Sequence, residues 1–572
     1  MTSDRNSLLA AVLILAVMGA LMMRPIWEES ATVDEPVFLG AGYSYWMGHR
    51  YYLNCEHPPL VQLWSAVPLL FLPIQTAPKT EFYFDQRHPL NQASTWDYYG
   101  EPFETLFPRG FNFYYYPLFE ARYFGDWLVY GGNNNSDRLL LWGRLMQVLL
   151  TLAIGAMVFL WAKSLSNAIG GLFALITWAF NPISLGYGHL VITDPGIALM
   201  LPLTVWLFSR FLDFPSVLRA TIAGVALGGA LLTKFTAVIL LPICGLLIVH
   251  AGWRRGAVVE FRAWLAQVVR GVVVCALAAW SVVLLMYVPS WNPPPPISVE
   301  EARAIKVPGW FQAFRLVLIP REYFKGLAIV LAHTARGHGS YLLGRWSPTG
   351  WWYYFPLAIC FKTPLALLLL FGLGLLLAGR RAFQTSFMEL SPLIAALVYL
   401  GCSMASNIDI GIRHVLPMFP LLGVFAGAQI AQAGRKIRLV AWGLSGGLVL
   451  TALLAHPFYI EYFNELAGGS ANGYRYLADS NLDWGQEAKR LKVLLDERHI
   501  QHVYMDCFIP TITRSHLNIQ YTDVDGASAR LLTNAVVVVS ASRLVRPEWS
   551  WLRERHQPTA CIANSIFLYQ LP

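Results

Sequence analysis

The feature that most constrains this chain is a succession of apolar runs, several of them about 20 residues long. A run of that length crosses the hydrocarbon core of a bilayer as a helix, because a helix satisfies its own backbone amides away from water. Composition agrees, since 56% of the 572 residues are hydrophobic and only 13% are charged. Ordinary soluble domains have about 25% charged residues. We therefore predict an α-helical polytopic membrane protein and exclude a water-soluble fold.

The apolar runs predict about 11 transmembrane helices, the first of them a retained signal anchor at 8–23. The others are expected at about 138–161, 167–187, 194–212, 218–233, 236–250, 266–288, 353–377, 390–405, 414–432 and 438–459. Lys and Arg concentrate in alternate loops, which the positive-inside rule makes cytoplasmic. This places the N-terminus in the cytoplasm and the C-terminus on the periplasmic side of an inner (plasma) membrane. The net charge of +8 has the same explanation and gives no indication of nucleic-acid binding.

Two domains are expected. Residues 1–459 form the membrane domain, with 28–137 as a long first extracytoplasmic loop, and residues 460–572 form a small extracytoplasmic α/β domain. In the latter, Asp483 and Gln486 are interpreted as a capping box that opens a helix. The sequence also predicts strands at His502–Phe508, Ala535–Ser540 and Ser565–Leu571. A Cys507–Cys561 disulfide is compatible with an extracytoplasmic location.

The predicted topology brings a set of charged residues to the outer face. They are Asp34, Glu35, Glu56, His57, Asp194, Lys234, Asp409, Arg413 and His414. Charges so close to hydrocarbon are costly, so we expect them to face a hydrated cavity lined by protein. Such a set suits sugar transfer from a lipid phosphate. The acceptor hydroxyl needs a carboxylate base, and the departing phosphate needs fixed cations.

Motifs along most of the chain, taken in order, resemble the GT-C glycosyltransferases, and among them the bacterial branch of the protein O-mannosyltransferase and lipid A aminoarabinose transferase group. The motifs are Asp34-Glu35, His57-Pro-Pro-Leu60, Arg144-Leu, Thr193-Asp194, Leu232-Thr-Lys234, Gly350-Trp-Trp-Tyr-Tyr-Phe-Pro356, Lys362-Thr-Pro364, Ile410-Gly-Ile-Arg-His-Val-Leu-Pro417, Leu466-Ala-Gly-Gly and Asp479-Ser-Asn-Leu-Asp-Trp-Gly-Gln486. Each motif alone is common. The resemblance depends on their order along the chain and on their shared position at the outer face of the membrane.

The resemblance implies a transferase that uses a polyprenyl- or dolichyl-phosphate sugar and inverts the anomeric centre. Asp34 would be the general base, or hold the acceptor, and Glu35 and Glu56 would orient substrate or tune that base. The expected substrate-binding residues are His57, Arg144, Asp194, Lys234, Lys362, Arg413 and His414, with Arg144 neutralising the donor phosphate. Apart from the lipid-linked sugar no cofactor is implied, and no residue spacing predicts a metal site. The acceptor is a protein, a lipid or a glycan.

Other interpretations stay open from the sequence. Asp194 precedes Pro195 and suits a helix N-cap, Lys362 suits a residue whose amine reaches the membrane interface, and Arg413-His414 suits interfacial anchors. A transporter or lipid flippase is one rival, although it predicts charges near the midplane and internal repeats. An oligosaccharyltransferase-like enzyme with a pyrophosphate-linked donor is the other, and it predicts a divalent metal at the acidic pair.

Overall fold

The computed structural model describes residues 2–49, 51, 53–75, 112–131, 133–255, 258–290, 320–381 and 384–572. The predicted first loop is therefore described only in part. The membrane part is helical, and its helices in chain order are α1 Thr2–Glu28, α2 Glu35–Gly48, α3 Leu60–Ala66, α4 Asn112–Tyr130, α5 Ser136–Leu165, α6 Ala168–Ala179, α7 Pro182–Tyr187, α8 Asp194–Asp213, α9 Val217–Leu231, α10 Leu240–Arg255, α11 Val258–Tyr287, α12 Arg321–Arg336, α13 Tyr354–Lys362, α14 Leu365–Arg380, α15 Phe387–Met404, α16 Met418–Ala431 and α17 Arg435–Ala455.

A multi-pass membrane protein is confirmed, but the count of 11 spans is not. Among the described residues, seven helices are long and apolar enough to cross a membrane. The spans predicted at 167–187, 218–233 and 414–432 contain the shorter apolar helices α6, α9 and α16. The span predicted at 353–377 is not one continuous helix, because α13 and α14 are bent by 117° at Thr363-Pro364. Proline lacks an N–H and disfavours helical geometry in the residue before it, and Thr363 is accordingly extended.

Helix α16 packs against α5, α6, α14 and α15. Small residues allow the close approach to α6: a Cβ on Gly427 would lie 2.5 Å from the carbonyl oxygen of Gly170. Close backbone packing of this kind is typical of helices in membranes, where burial from water supplies little driving force. The packing fixes the loop that precedes α16, which carries Asp409 and Arg413.

The tail contains a five-stranded sheet. Its strands are β3 Val503–Asp506, β4 Tyr521–Asp523, β5 Val536–Ser540, β6 Ala560–Ile562 and β7 Ile566–Gln570, after a separate hairpin of β1 Ser340–Leu342 and β2 Arg345–Ser347. The order is β4-β3-β5-β7-β6, with β3 parallel to β4 and β5 and β7 antiparallel to β5 and β6. The tail helices are α18 Ala488–Glu497, α19 Thr511–His516, α20 Gly526–Ala529, α21 Ala541–Leu544 and α22 Ser550–Arg555. The three predicted strands correspond to β3, β5 and β7.

One expectation for the tail is wrong, and a disulfide that the sequence allowed is not formed. Helix α18 begins at Ala488, so Asp483 does not open it; the Asp483 carboxylate instead accepts the Ser542 N–H at 3.0 Å. Gly485, with φ +87°, interrupts the backbone between Asp483 and α18. Cys507 and Cys561 are free cysteines. Cys507 directly follows β3 and Cys561 lies on β6, and the sheet order places two strands between them.

The boundary predicted near residue 460 does not divide the core. One continuous cluster of buried apolar side chains includes Leu39 and Leu416 of the membrane part together with Trp484, Val537 and Phe567 of the tail. The tail is therefore packed directly on the membrane helices.

Candidate active site

Asp34 is the last residue of the short loop between α1 and α2. Within the described residues its carboxylate does not cap α2, and the side chain is 27% exposed. Its Oδ2 is 3.8 Å from Nη2 of Arg413. Burial raises the pKa of Asp34 above its ordinary value, and the positive charge of Arg413 partly offsets that increase. Asp34 is thus an accessible carboxylate beside a fixed cation.

Asp194 lies between two cations. Nη1 of Arg413 is 3.3 Å from its Oδ2, and Nζ of Lys234 is 2.8 Å from its Oδ1. The Asp194 side chain is only 1% exposed, so this carboxylate is occupied on both oxygens. Asp194 is the first residue of α8, and Thr193 is the N-cap residue. The simple capping interpretation of Asp194 therefore fails. Its carboxylate instead holds Arg413 and Lys234 in place.

Glu56 and His57 form a second polar pair close to Asp34. Nε2 of His57 is 3.5 Å from Oε1 of Glu56, and both side chains are partly exposed. Burial alone would raise the pKa of Glu56, but the hydrogen bond and charge of His57 outweigh it and lower that pKa. The His57 ring packs on Phe38 at 4.9 Å, and its Nδ1 is buried without a partner among the described residues. The charges of both residues act on Asp34, so the pair belongs to the same site.

His414 adds an unused polar atom. Burial, together with the positive charges of Lys234 and Arg413, lowers the pKa of His414 well below its ordinary value. The imidazole is therefore neutral near pH 7. Its Nε2 is buried and has no hydrogen-bond partner in the part of the chain that the structure describes. A neutral ring nitrogen beside two cations is suited to bind an oxygen of a ligand.

Asp409 fixes the loop that leads to Arg413. Its Oδ2 accepts the Trp351 N–H at 2.7 Å, and burial raises the pKa of Asp409 to about 6. Gly350 has φ +70°, and a Cβ there would lie 2.0 Å from that same oxygen. Glycine is therefore required at this contact.

Arg144 and Glu35 are brought together, but away from any open surface. All five N–H donors of Arg144 are used: two bind the Glu35 carboxylate, both at 2.8 Å, and three bind the carbonyls of Ile26, Glu29 and Ser30. Glu35 also accepts the N–H groups of Thr32 and Val191. Both side chains are completely buried. This geometry favours a structural role for the pair, which supports the loop that carries Asp34, over the predicted contact of Arg144 with phosphate.

Lys362 is likewise engaged by backbone. It ends α13 at the break before Pro364, and its Nζ donates to the carbonyls of Ile460 at 2.5 Å and Asn481 at 2.6 Å. The Phe463 ring lies 4.4 Å from that nitrogen. Lys362 therefore ties the broken helix to the tail, and its amine is turned toward the tail backbone.

Sequence reasoning missed the residues of the tail that contact this site. The Trp484 ring lies 4.2 Å from Cζ of Arg413, and Ser480 Oγ accepts the Arg413 Nε–H at 3.2 Å. Both belong to the motif Asp479–Gln486, which contributes to the family resemblance and of which only Asp483–Gln486 was interpreted as a helix start. Its repeated polar residues were the available signal.

Sequence reasoning also missed a group of buried acidic side chains near this site. Glu29 is 2.9 Å from His189 Nε2, and Glu461 and Glu487 are almost completely buried. Burial and the neighbouring carboxylate Glu487 raise the pKa of Glu461 well above its ordinary value, and burial raises that of Glu487 to about 7. These acids are far apart in sequence, so no local pattern marks them.

Comparison with known proteins gives one family match and several structural similarities. Residues 125–280 match the family model described as dolichyl-phosphate-mannose-protein mannosyltransferase. No curated relative matches the chain. The chain is similar to the structure of ArnT from Cupriavidus metallidurans bound to undecaprenyl phosphate, with 14% identity, a TM-score of 0.46 and 97% of each chain covered. It is also similar to the Archaeoglobus fulgidus oligosaccharyltransferase in complex with zinc and sulfate, with 13% identity, a TM-score of 0.43, and 92% of this chain and 68% of that chain covered.

The fold and site define a multi-pass membrane protein with a polar, charged centre beside its helix ends. The matched segment contains Arg144, Asp194 and Lys234, three of the residues on which the predicted resemblance depends. The match covers about a quarter of the chain, and over that segment it agrees with the predicted resemblance to the GT-C glycosyltransferases.

Proposed function

We propose that this protein transfers a sugar from a polyprenyl-phosphate carrier to a hydroxyl acceptor at the outer face of the inner membrane. The observation that carries the proposal is the position of Arg413 between two carboxylates. One of them, Asp194, is buried and neutralised, whereas the other, Asp34, is accessible. This is the arrangement that general-base attack beside an anionic leaving group requires.

Asp34 is the base in this mechanism. The acceptor hydroxyl gives its proton to the Asp34 carboxylate while its oxygen attacks the anomeric carbon. The bond from that carbon to the phosphate oxygen breaks, and the lipid phosphate leaves with the electron pair. A single displacement inverts the anomeric centre. The raised pKa of Asp34 brings the carboxylate closer to the pH at which it acts, which favours proton transfer.

The phosphate is bound by the cations whose N–H donors are not all used within the protein. Lys234 has three N–H donors, and Asp194 accepts one of them. Arg413 binds the same Asp194 carboxylate, and the unpaired His414 Nε2 supplies a neutral contact. Arg144 and Lys362 are omitted from this set because both side chains are buried, and all five donors of Arg144 and two of the three of Lys362 already bind carboxylate or carbonyl oxygens. The predicted resemblance and the name of the matching family support this donor class.

The test is sugar transfer by the purified protein in lipid nanodiscs. Labelled polyprenyl-phosphate sugars are the donors, and extracted lipid, protein and glycan are the acceptors. We expect Asp34→Asn to lower turnover at least about 100-fold, the usual effect of losing a general base. Asp137→Asn is the matched control, because Asp137 is an exposed acid paired with Lys489. Full activity in Asp34→Asn would refute the assignment of the base.

The same assay separates the rival functions. Transfer from a pyrophosphate-linked donor that stops on addition of a chelator would indicate an oligosaccharyltransferase-like enzyme. Movement of the labelled lipid across the bilayer without release of lipid phosphate would indicate a flippase. Release of polyprenyl phosphate with a new glycosidic bond in the acceptor fraction is the result that the proposal predicts.

A further inference from the structure

The segment Asp479–Gln486, called here the tail strap, lies directly beside the loop that carries Asp34. The Val33 N–H donates to the Trp484 carbonyl at 3.0 Å, and the Ser30 N–H donates to the Gln486 carbonyl at 2.8 Å. Val33 is the residue immediately before Asp34. The tail strap therefore fixes the backbone from which the Asp34 side chain extends.

The tail strap also holds the loop that carries Arg413. Ser480 Oγ donates to the Ile410 carbonyl at 2.7 Å, and Asn481 Oδ1 accepts the Ile412 N–H at 3.0 Å. A Cβ on Gly411 would lie 2.3 Å from Ser480 Oγ, so the loop and the tail strap approach as closely as glycine permits. The two loops that supply the base and the cation are thus joined through one segment of the tail.

Trp484 and Ser480 contact the guanidinium group of Arg413 itself. Trp484 is 3% exposed, and its ring face lies 4.2 Å from Cζ of Arg413. A desolvated cation–π contact of this kind both attracts the guanidinium and restricts the plane in which it lies. Ser480 Oγ accepts the Nε–H, which leaves Nη1 toward Asp194 and Nη2 toward Asp34.

We propose that the tail strap is part of the catalytic centre, in which Trp484 and Ser480 are positioning residues that aim the Arg413 guanidinium between Asp34 and Asp194. The proposal deepens the function proposed above and rests on it for the role of Asp34. The tail would then serve catalysis directly, in addition to its contribution to the stability of the fold.

The test follows the ionisation of Asp34 and needs no turnover. A hydrophobic carbodiimide labels protonated carboxyl groups, and mass spectrometry of the Asp34 peptide gives the pH at which labelling is half-maximal. The charged groups that face Asp34 are Arg413, Arg122, His57 and Glu56. Losing a neighbouring opposite charge raises a carboxyl pKa by about one unit or more. Arg413→Gln is therefore expected to raise the midpoint by about one pH unit.

Trp484→Leu removes the ring face and is expected to move the midpoint in the same direction as Arg413→Gln, by at least about half as much. Trp484→Phe keeps an aromatic face and should restore most of the wild-type value. Trp549→Leu is the matched control, because Trp549 is a buried tail tryptophan whose indole donates to Asp506 at 2.8 Å. It controls for a general loss of packing and should leave the midpoint unchanged. Ser480→Ala is the milder variant if Trp484→Leu does not fold.

The outcomes separate the two proposals. If Trp484→Leu and Ser480→Ala label Asp34 as wild type does while Arg413→Gln shifts the midpoint, the positioning role is wrong. If the midpoint shifts as expected but wild type transfers no sugar from any donor, the positioning role holds and the proposed function fails. If both proposals hold, Trp484→Leu should reduce the turnover rate more than the affinity for polyprenyl phosphate. The acid limb of its pH–rate profile should also move to higher pH.

Discussion

Replacing Arg144 by methionine tests whether the buried Glu35–Arg144 pair is structural. The change keeps an apolar stem of similar length and removes all five donors. Glu35 would be left as a buried carboxylate with only the Thr32 and Val191 N–H groups as partners. Three carbonyl groups at the end of α1 would also lose a donor.

The expected cost follows from that geometry. Breaking a buried ion pair by removing one partner costs about 3–5 kcal/mol, because the remaining charge has no compensation. We therefore expect Arg144→Met to lower the melting temperature by several degrees and to reduce the monodisperse fraction after extraction. The double variant Glu35→Gln/Arg144→Met removes the stranded charge and should recover part of the loss.

Thermal unfolding in a single detergent, followed by tryptophan fluorescence and size exclusion, measures both effects. Transfer activity is measured on the folded fraction only. If Arg144→Met melts with the wild-type protein and loses binding of polyprenyl phosphate, the structural interpretation is refuted and Arg144 contacts the donor as the family resemblance implied.

Two further predictions concern the phosphate site and the buried acids. Lys234→Met should raise the KM for the donor about 10- to 100-fold, the range expected for one charged hydrogen bond, whereas Lys489→Met, which removes an outer lysine paired with Asp137, should not. An unchanged KM in Lys234→Met would exclude Lys234 from the phosphate site. Burial raises the pKa of Glu461 and Glu487, so the folded protein retains a proton that the unfolded chain releases above about pH 4.5. Stability should therefore fall as the pH rises from about 5 through 7, and Glu461→Gln should make that fall smaller. If the melting temperatures of wild type and Glu461→Gln change equally with pH across this range, Glu461 is not a source of the pH dependence.

The sequence was informative where the physical signal is local. Apolar runs identify membrane helices because the bilayer sets their length, and the acidic and basic motifs at their ends identify Asp34, Asp194, Lys234 and Arg413, which the structure brings together. The break at Thr363-Pro364 was also readable from Pro364, although the run around it is apolar enough to resemble one span.

What the sequence could not supply is the partner of each charge. Arg144 and Lys362 are both cations inside predicted spans, and both look equally suited to bind a phosphate. Arg144 is surrounded by Glu35 and three backbone carbonyls. Lys362 donates instead to the carbonyls of Ile460 and Asn481, about 100 residues further along the chain. Such pairings depend on tertiary packing, which no local spacing encodes.

The position of Asp34 also follows from two separate supports. On one side, Glu35 is held by Arg144, by Thr32 and by Val191. On the other side, Val33 is held by the backbone of Trp484. Asp34 lies between these neighbours, and its own carboxylate remains partly exposed. The neighbouring residues hold this base in place, while its own carboxylate oxygens remain available to the acceptor. It therefore needs little rearrangement when the acceptor binds, which is the condition for preorganised catalysis. The tail supplies one of the two supports, so removing it should affect the chemistry as well as the stability of the fold.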